Sequence, residues 1–407
     1  MTEIVLAVDE VEFVKELYPR VREDDAAIER YRAAIDRLPP IVVARGRVLV
    51  DGFHRWQAHK REHLTTIAVE DLGNLADVEI RKESIRRNAS HGRQLETSDK
   101  LKNVDWLYRN GTRDYDELAD LLSITVKTAK EYARDARRDE VAERKADIWD
   151  RWLNCEWMSY AEAEKATGVS DKTIKGWLSE FSNALEFSEP PLSRQHFDLW
   201  QFQKSDGESS YFGKMAPQIV ENLLWLYTEP GDIVVDLFAG GGTTIDVAKR
   251  MGRRVWASDL HPSTPTLPIH QHDACEGWPD NAPRKADLVI LDPPYWQQAK
   301  GQYSESHLDF ANVELEDFYA MWDLVIKAAC DHTDRIAYII GPTQLPDGEV
   351  IDHATDMLAA FRDNGWGLER RIIAAYNTQQ ATGQQVEWAR ENKRLLKLYR
   401  DLVVMTR

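Results

Sequence analysis

The sequence predicts an α/β protein: a doubly wound parallel sheet in the C-terminal half, preceded by a small α+β domain and an all-helical region. Three observations predict it. From about residue 197, β-like apolar runs alternate with helical patterns, the arrangement that gives a sheet covered on both faces. Between about 97 and 182 only helical periodicity is present, and before residue 95 short β-rich runs sit beside amphipathic segments. The 407 residues suit several domains, and the composition shifts divide them as 1–95, 96–185, a linker at 186–196 and 197–407.

Taken in order, "IVVARGRVLVDG" (41–52) and "LTTIAVE" (64–70) read as strands, and 24–37 as a helix. A helix in "SDKLKNVDWLYRNG" is closed by Asn110-Gly111, and two helical pairs follow at 114–138 and 159–181. In the second pair Ile174 and Trp177 fall at core spacing from Gly168, and Glu164 stands where a small residue should face the partner helix. The paired prolines of "EFSEPPLSRQ" (186–195) suit a linker. Beyond it come strands at 232–238, 254–260, 287–292 and 335–340, helices over 243–251 and 315–330, and a last helix and strand in "NKRLLKLYRDLVVMTR" (392–407).

Composition excludes several classes. Lys and Arg number 52 against 69 Asp and Glu, a net charge of -17, so bulk charge does not hold this protein to nucleic acid. The three cysteines, Cys155, Cys275 and Cys330, are too dispersed for a disulfide framework or a cysteine-clustered metal site, and no metal is expected. No run approaches 18 apolar residues, so the expectation is a cytoplasmic protein without a membrane partner.

The most informative stretch is "DIVVDLFAGGGTTIDVAKRMGRRVWASDL" (232–260): a β-run, a glycine cluster, a helix, and a second β-run ending in Asp259. Glycines at a strand-to-helix turn let a ligand approach the backbone, and an acid after the second strand can accept hydrogen bonds from ribose hydroxyls. Thr243 and Thr244 stand where the dinucleotide fingerprint needs its third glycine, so a nucleoside cofactor fits better than nicotinamide or flavin. Downstream, Asp292-Pro293-Pro294-Tyr295 follows a buried-strand pattern, at the carboxyl end where such sheets bind ligands.

Phe238-Ala239-Gly240-Gly241-Gly242 and Asp292-Pro293-Pro294-Tyr295 together resemble the two diagnostic motifs of the S-adenosylmethionine-dependent DNA amino-methyltransferases. The resemblance implies a Rossmann-like sheet, S-adenosyl-L-methionine as cofactor, and double-stranded DNA with a flipped base as substrate. It assigns Asp292, Pro293, Pro294 and Tyr295 to catalysis, with Tyr295, joined by Trp296, offering a face to the base. It assigns Phe212, Asp236, Phe238, Ala239, Gly240, Gly242, Thr243, Asp259 and Asp273 to the cofactor. The first motif position favours N6 of adenine over N4 of cytosine. Methylation at carbon 5 would use a Pro-Cys nucleophile, and the chain has no Pro-Cys. An RNA or protein amide methyltransferase is the alternative enzyme.

The motif order is that of a group whose target-recognition region usually follows the catalytic one; here the catalytic pattern itself takes up the chain as far as 392–407, so recognition is expected in the N-terminal half. There, Gly52-x-x-Arg55-x-x-Ala58 and the segment 83–101 resemble the ParB/sulfiredoxin-like domain, which implies nucleotide-phosphate binding at Gly52, Arg55 and Arg86. Ser84 stands where the nucleotide-binding members carry Asn, which points to a structural or DNA-clamping use. As in ParB proteins, a helix-turn-helix follows. Lys127, Thr128 and Lys130 begin the second helix of the first pair, and Lys172, Thr173 and Lys175 that of the second, the positions that meet DNA. A homodimer is also expected. The contrasting reading is a partition-type DNA-binding protein with a vestigial catalytic domain.

Overall fold

The computed structural model describes residues 4–20, 24–90, 95–186, 197–202, 215–262, 264–297, 309–345, 349–375 and 382–407. The chain divides into two compact units, Met1–Arg144 and Lys145–Arg407. The division falls inside the helical stretch, so the first helical pair groups with the α+β elements and the second with the large sheet.

In the first unit, strands β1 (Ile4–Ala7), β2 (Ile41–Ala44), β3 (Val48–Asp51) and β4 (Thr66–Asp71) form one sheet in the order β1-β4-β2-β3. Helices α1 (Asp25–Arg32), α2 (Phe53–Arg61) and α3 (Asp77–Ser90) accompany it, and Ile41, Val43, Phe53 and Trp56 share one apolar core. Helices α4 (Thr97–Arg109), α5 (Tyr115–Leu122) and α6 (Val126–Tyr132) bury Val104, Leu107, Leu118, Leu122 and Ala129 together. The twenty-residue α7 (Arg134–Leu153) runs through the point of division.

In the second unit, α8 (Tyr160–Thr167) and α9 (Asp171–Glu186) precede the sheet, with Ala163, Val169, Ile174 and Leu178 between them. The small residue at the crossing is Ala163, and Glu164 is exposed, one position from where the spacing placed the crossing. Trp177, expected in this core, is half-buried and lies under Lys145. The Arg254 guanidinium donates to the carbonyls of Trp152 (3.2 Å) and Trp157 (2.5 Å) and stacks on Trp152, binding this segment to the sheet.

The sheet comprises β5 (Leu199–Trp200), β6 (Ile233–Asp236), β7 (Arg254–Asp259), β8 (Ile269–Gln271), β9 (Leu288–Leu291), β10 (Arg335–Ile340), β13 (Gly367–Ala375) and β14 (Tyr399–Thr406). Its order is β5-β13-β14-β10-β9-β6-β7-β8. A two-stranded ribbon, β11 (Thr343–Gln344) with β12 (Val350–Ile351), follows β10. The fully parallel sheet expected from the sequence is corrected: β14 runs antiparallel to both β10 and β13.

Helices α10 (Pro217–Tyr227) and α11 (Thr243–Arg250) cover one face, and α12 (Leu315–Cys330) and α13 (His353–Asp363) the other. Alternate residues of β9 therefore enter opposite cores, Leu288 and Ile290 one, Val289 and Leu291 the other, which is why the strand is apolar throughout. The expected last helix is also corrected: α14 spans Gly383–Glu391, and 392–398 is irregular before β14, with Lys393 at φ +52°. Among the described residues, no helix is long and apolar enough to cross a membrane.

Candidate functional site

The site lies at the carboxyl ends of β6 and β9, adjacent parallel strands from which the connections run in opposite directions, β7 and β8 on one side and β10 on the other. Such a switch point opens a crevice above the sheet. Beyond β6 the chain turns through Phe238–Gly242 into α11. Gly242 caps the helix at φ +80°, and a Cβ there would stand 2.2 Å from Leu267 Cδ1, so both backbone and space require glycine.

Two carboxylates hold this turn. Asp236, buried at the end of β6, accepts from the Phe238 amide at 2.9 Å. Burial raises its carboxyl to about 7, and the charges of Asp292 and Asp259 push the same way. Asp259, ending β7, accepts from the amides of Gly240 (2.8 Å) and His261 (2.9 Å), tying the glycine turn to the neighbouring strand. The Ala239 amide donates to Ser258 at 2.9 Å, and the Thr243 hydroxyl lies 3.5 Å from the Met215 carbonyl. Asp273 caps a short turn by accepting from Cys275 at 2.9 Å. Phe212, with Gly213 and Lys214 beside it, lies outside the described residues.

After β9, Asp292 stands recessed in the floor of the crevice, and burial raises its carboxyl to about 6 against the opposing charge of Arg400. The Tyr295 hydroxyl donates to Asp292 Oδ1 at 3.0 Å. Pro293 is buried and Pro294 half-buried, and both withhold an N–H where the strand ends. The Tyr295 ring packs on Gly341, beside the amine of Lys397. The expectation that Trp296 helps to stack a base is corrected: only 5% of it is exposed, and its indole N–H donates to Val313 at 2.9 Å.

Sequence reasoning missed Arg400 and Lys397 as site residues. The run 389–400 reads as a basic surface facing phosphates, yet Lys397 is turned inward, donating to the Pro342 carbonyl at 3.0 Å, with burial lowering its amine to about 8. The excess of basic residues is visible in the sequence, and their direction is not. The stretch 296–310, which looks mobile in sequence, lies mostly outside the described residues.

In the first unit Gly52 and Arg55 are brought together, in a packing arrangement. A Cβ on Gly52, at φ +100°, would stand 2.7 Å from Ile41. Arg55 donates to Asp51 (2.7 Å) and to the carbonyls of Pro39 (3.1 Å) and Pro40 (2.7 Å). Ser84 donates to the Val50 carbonyl at 2.6 Å and fixes α3 to β3. Arg86 pairs with Glu83 on the surface of α3.

Lys127, Lys130, Lys172 and Lys175 are exposed near the starts of α6 and α9. The hydroxyls of Thr128 and Thr173 instead meet those of the capping residues Thr125 (2.9 Å) and Ser170 (2.8 Å). Both turns contain a left-handed residue, Ser123 at φ +49° and Gly168 at φ +68°.

Comparison with known proteins adds a family match. The N6/N4 methyltransferase family, described as DNA methylase, matches residues 78–264, just under half of the chain, including the glycine turn and Asp259 and ending before Asp292. The Type II methyltransferase M.BglII of Bacillus subtilis is 33% identical over 79 residues, 18% of this chain and 22% of that protein. The chain thus aligns with about a fifth of that curated relative. Among solved structures, a candidate RNA methyltransferase of Pyrococcus horikoshii is 15% identical, covering 56% of this chain and 96% of its own, with TM-score 0.31. ParB of Caulobacter crescentus, in complex with the centromeric parS site, is 16% identical, covering 42% and 97%, with TM-score 0.26. The family match supports methyl transfer as the class of chemistry.

Proposed function

We propose that this protein methylates the exocyclic amine of a DNA base, N6 of adenine before N4 of cytosine, from S-adenosylmethionine, and that its N-terminal half places it on DNA. The observation that carries the reading is the pairing of Asp292, behind two prolines at the end of β9, with the carboxylate-lined glycine turn at the end of the adjacent β6.

The residues present suit the cofactor. The Gly242 turn leaves no room for a side chain, Asp259 lies at the end of β7 where a ribose would sit, and Asp236, Asp259 and Asp292 together favour a cation. The cofactor supplies a methyl group on positively charged sulfur.

The remaining work falls to the chain. A base amine is a poor nucleophile because its lone pair is delocalised into the ring. Asp292 and the Pro293 carbonyl accept its two N–H bonds, draw the nitrogen toward a tetrahedral shape and aim the lone pair at the methyl group. With the cofactor held at the glycine turn and Asp259, its methyl group would pass to the nitrogen, the sulfur would leave as a neutral thioether, and the nitrogen would shed a proton. A carboxylate raised to about 6 is ionised at neutral pH, yet basic enough to take that proton. Tyr295 offers its ring to the extruded base.

Four exposed lysines at the starts of α6 and α9 supply local positive charge on an acidic chain, which suits a modest, salt-sensitive hold on DNA. The test is nucleoside mass spectrometry of duplex DNA incubated with the protein and S-adenosylmethionine. N6-methyladenine is the expected product and N4-methylcytosine would move the base assignment. DNA binding with no methylated nucleoside would sink the enzymatic reading.

A further inference from the structure

Behind the Asp292–Trp296 loop lies a chain of side-chain hydrogen bonds that the proposed reaction does not use. Tyr319 on α12 donates to Asp356 at 2.5 Å, and its oxygen stands 3.0 Å from His353 Nδ1. His353 Nε2 stands 3.0 Å from the Thr343 hydroxyl, which donates to the Trp296 carbonyl at 3.2 Å. His353 is fully buried at the first position of α13, with its ring against Trp296, Phe318 and Tyr319. The chain thus connects an exposed acid to the backbone one residue beyond Tyr295.

We propose that His353, acting through Thr343, is a positioning residue for the loop that presents Asp292 and Tyr295.

The chain has four hydrogen-bonded links, and both ends, the Asp356 carboxylate and the Trp296 carbonyl, are acceptors. The two hydroxyls and a neutral imidazole supply about three protons, one too few. With the proton on Nε2, His353 donates to Thr343, Thr343 donates to Trp296, and the loop is tied. With the proton on Nδ1, His353 donates to Tyr319 and draws the Thr343 proton back, and the Trp296 carbonyl is released. The tether therefore has two states, set by the tautomer.

The charged and titratable groups around the ring are Asp352 and Asp356 at the start of α13, Tyr319 on α12, and Lys397 before β14. Burial holds the imidazole well below its ordinary range, at about 4, so the ring is neutral and the two tautomers are the states that matter. Gln297, next to the tethered carbonyl, sits at φ +53°, a conformation that a non-glycine residue keeps only when its surroundings impose it.

The inference rests on the methyl-transfer reading for its purpose, but its test does not. Amide hydrogen exchange is followed over 288–297 in the full chain for wild type, Thr343→Val, His353→Phe and His353→Gln. Loss of one hydrogen bond is worth up to about tenfold in exchange. Thr343→Val and His353→Phe are expected to accelerate exchange in this segment by roughly that factor. Exchange over β6 should stay within about twofold, and His353→Gln, which keeps a donor and an acceptor, should restore protection. In a methyl-transfer assay the two disrupting variants should lose turnover by about the same factor, with the KM for S-adenosylmethionine unchanged. Equal loop exchange in Thr343→Val and wild type overturns the proposal, as does a uniform acceleration that includes β6. If His353→Phe fails to fold, Thr343→Val decides alone. A wild-type protein that methylates nothing would defeat the functional reading and leave the exchange comparison intact.

Discussion

Asp292 and Asp236 are held above the ordinary carboxylate range by the same cause, burial, and the consequences differ. Asp292→Ala should abolish methyl transfer while S-adenosylmethionine still binds, measured by product mass spectrometry beside calorimetry. Retained turnover would remove Asp292 from the mechanism. Because Asp292 must be ionised to accept the amine, turnover should decline as pH falls through about 6. Asp236 bears on stability. Its folded value, about 7 against 3.8, means that the native state binds the proton more tightly than the unfolded chain. Its contribution therefore favours folding below about 4 and is lost as pH rises through 7. Thermal melts of the cofactor-free protein should show this fall between pH 5 and 8, and Asp236→Asn should flatten it. Asp292 is legible in the sequence because its neighbours in sequence are its neighbours in space. Arg400 and His353 are not, since elements far from Asp292 in sequence, β14 and α13, bring them to the site.

At the scale of elements, apolar periodicity locates β6, β7, β9 and β10 within about two residues, because they are largely buried and leave no polar interruption, whereas β5, β8 and β13, short or exposed over much of their length, carry no such signal and escape it. Direction is another matter. Nothing in "LVVMT" distinguishes a parallel from an antiparallel neighbour, and the antiparallel run of β14 is invisible on that account. The helix expected over 392–398 is absent for a different reason: Lys397 is drawn in toward the Pro342 carbonyl, and that tertiary bond outweighs helix propensity. The turn of the first helical pair offers a direct test. Ser123 occupies a left-handed conformation at φ +49°, so Ser123→Gly should stabilise the first unit by about 1 kcal/mol, read as a raised midpoint in denaturant. Charge removal at Lys127, Lys130, Lys172 and Lys175 should weaken DNA binding about uniformly across sequences, lowering the salt slope by about 1 for each phosphate no longer neutralised. An unchanged slope would place DNA elsewhere.

For the whole molecule, the boundaries expected from composition fall between α3 and α4 and between α9 and β5, whereas the compact units part at 144/145. The difference arises from side chains that no periodicity reveals, above all Arg254, buried against the carbonyls of Trp152 and Trp157. A fragment covering 197–407 should accordingly melt below one covering 145–407, and Arg254→Ala should close much of that gap; equal midpoints would show the helical segment to be passive. The position of β14 has a kinetic consequence. It is the last strand in sequence, yet it lies between β10 and β13 and pairs with both along nearly its whole length. A chain emerging from the ribosome thus presents β10 with an unsatisfied edge and β13 paired only with the two-residue β5 until β14 has been made. Completion of the sheet is a late, long-range event, and the interval before it is the one in which this protein most needs protection from aggregation.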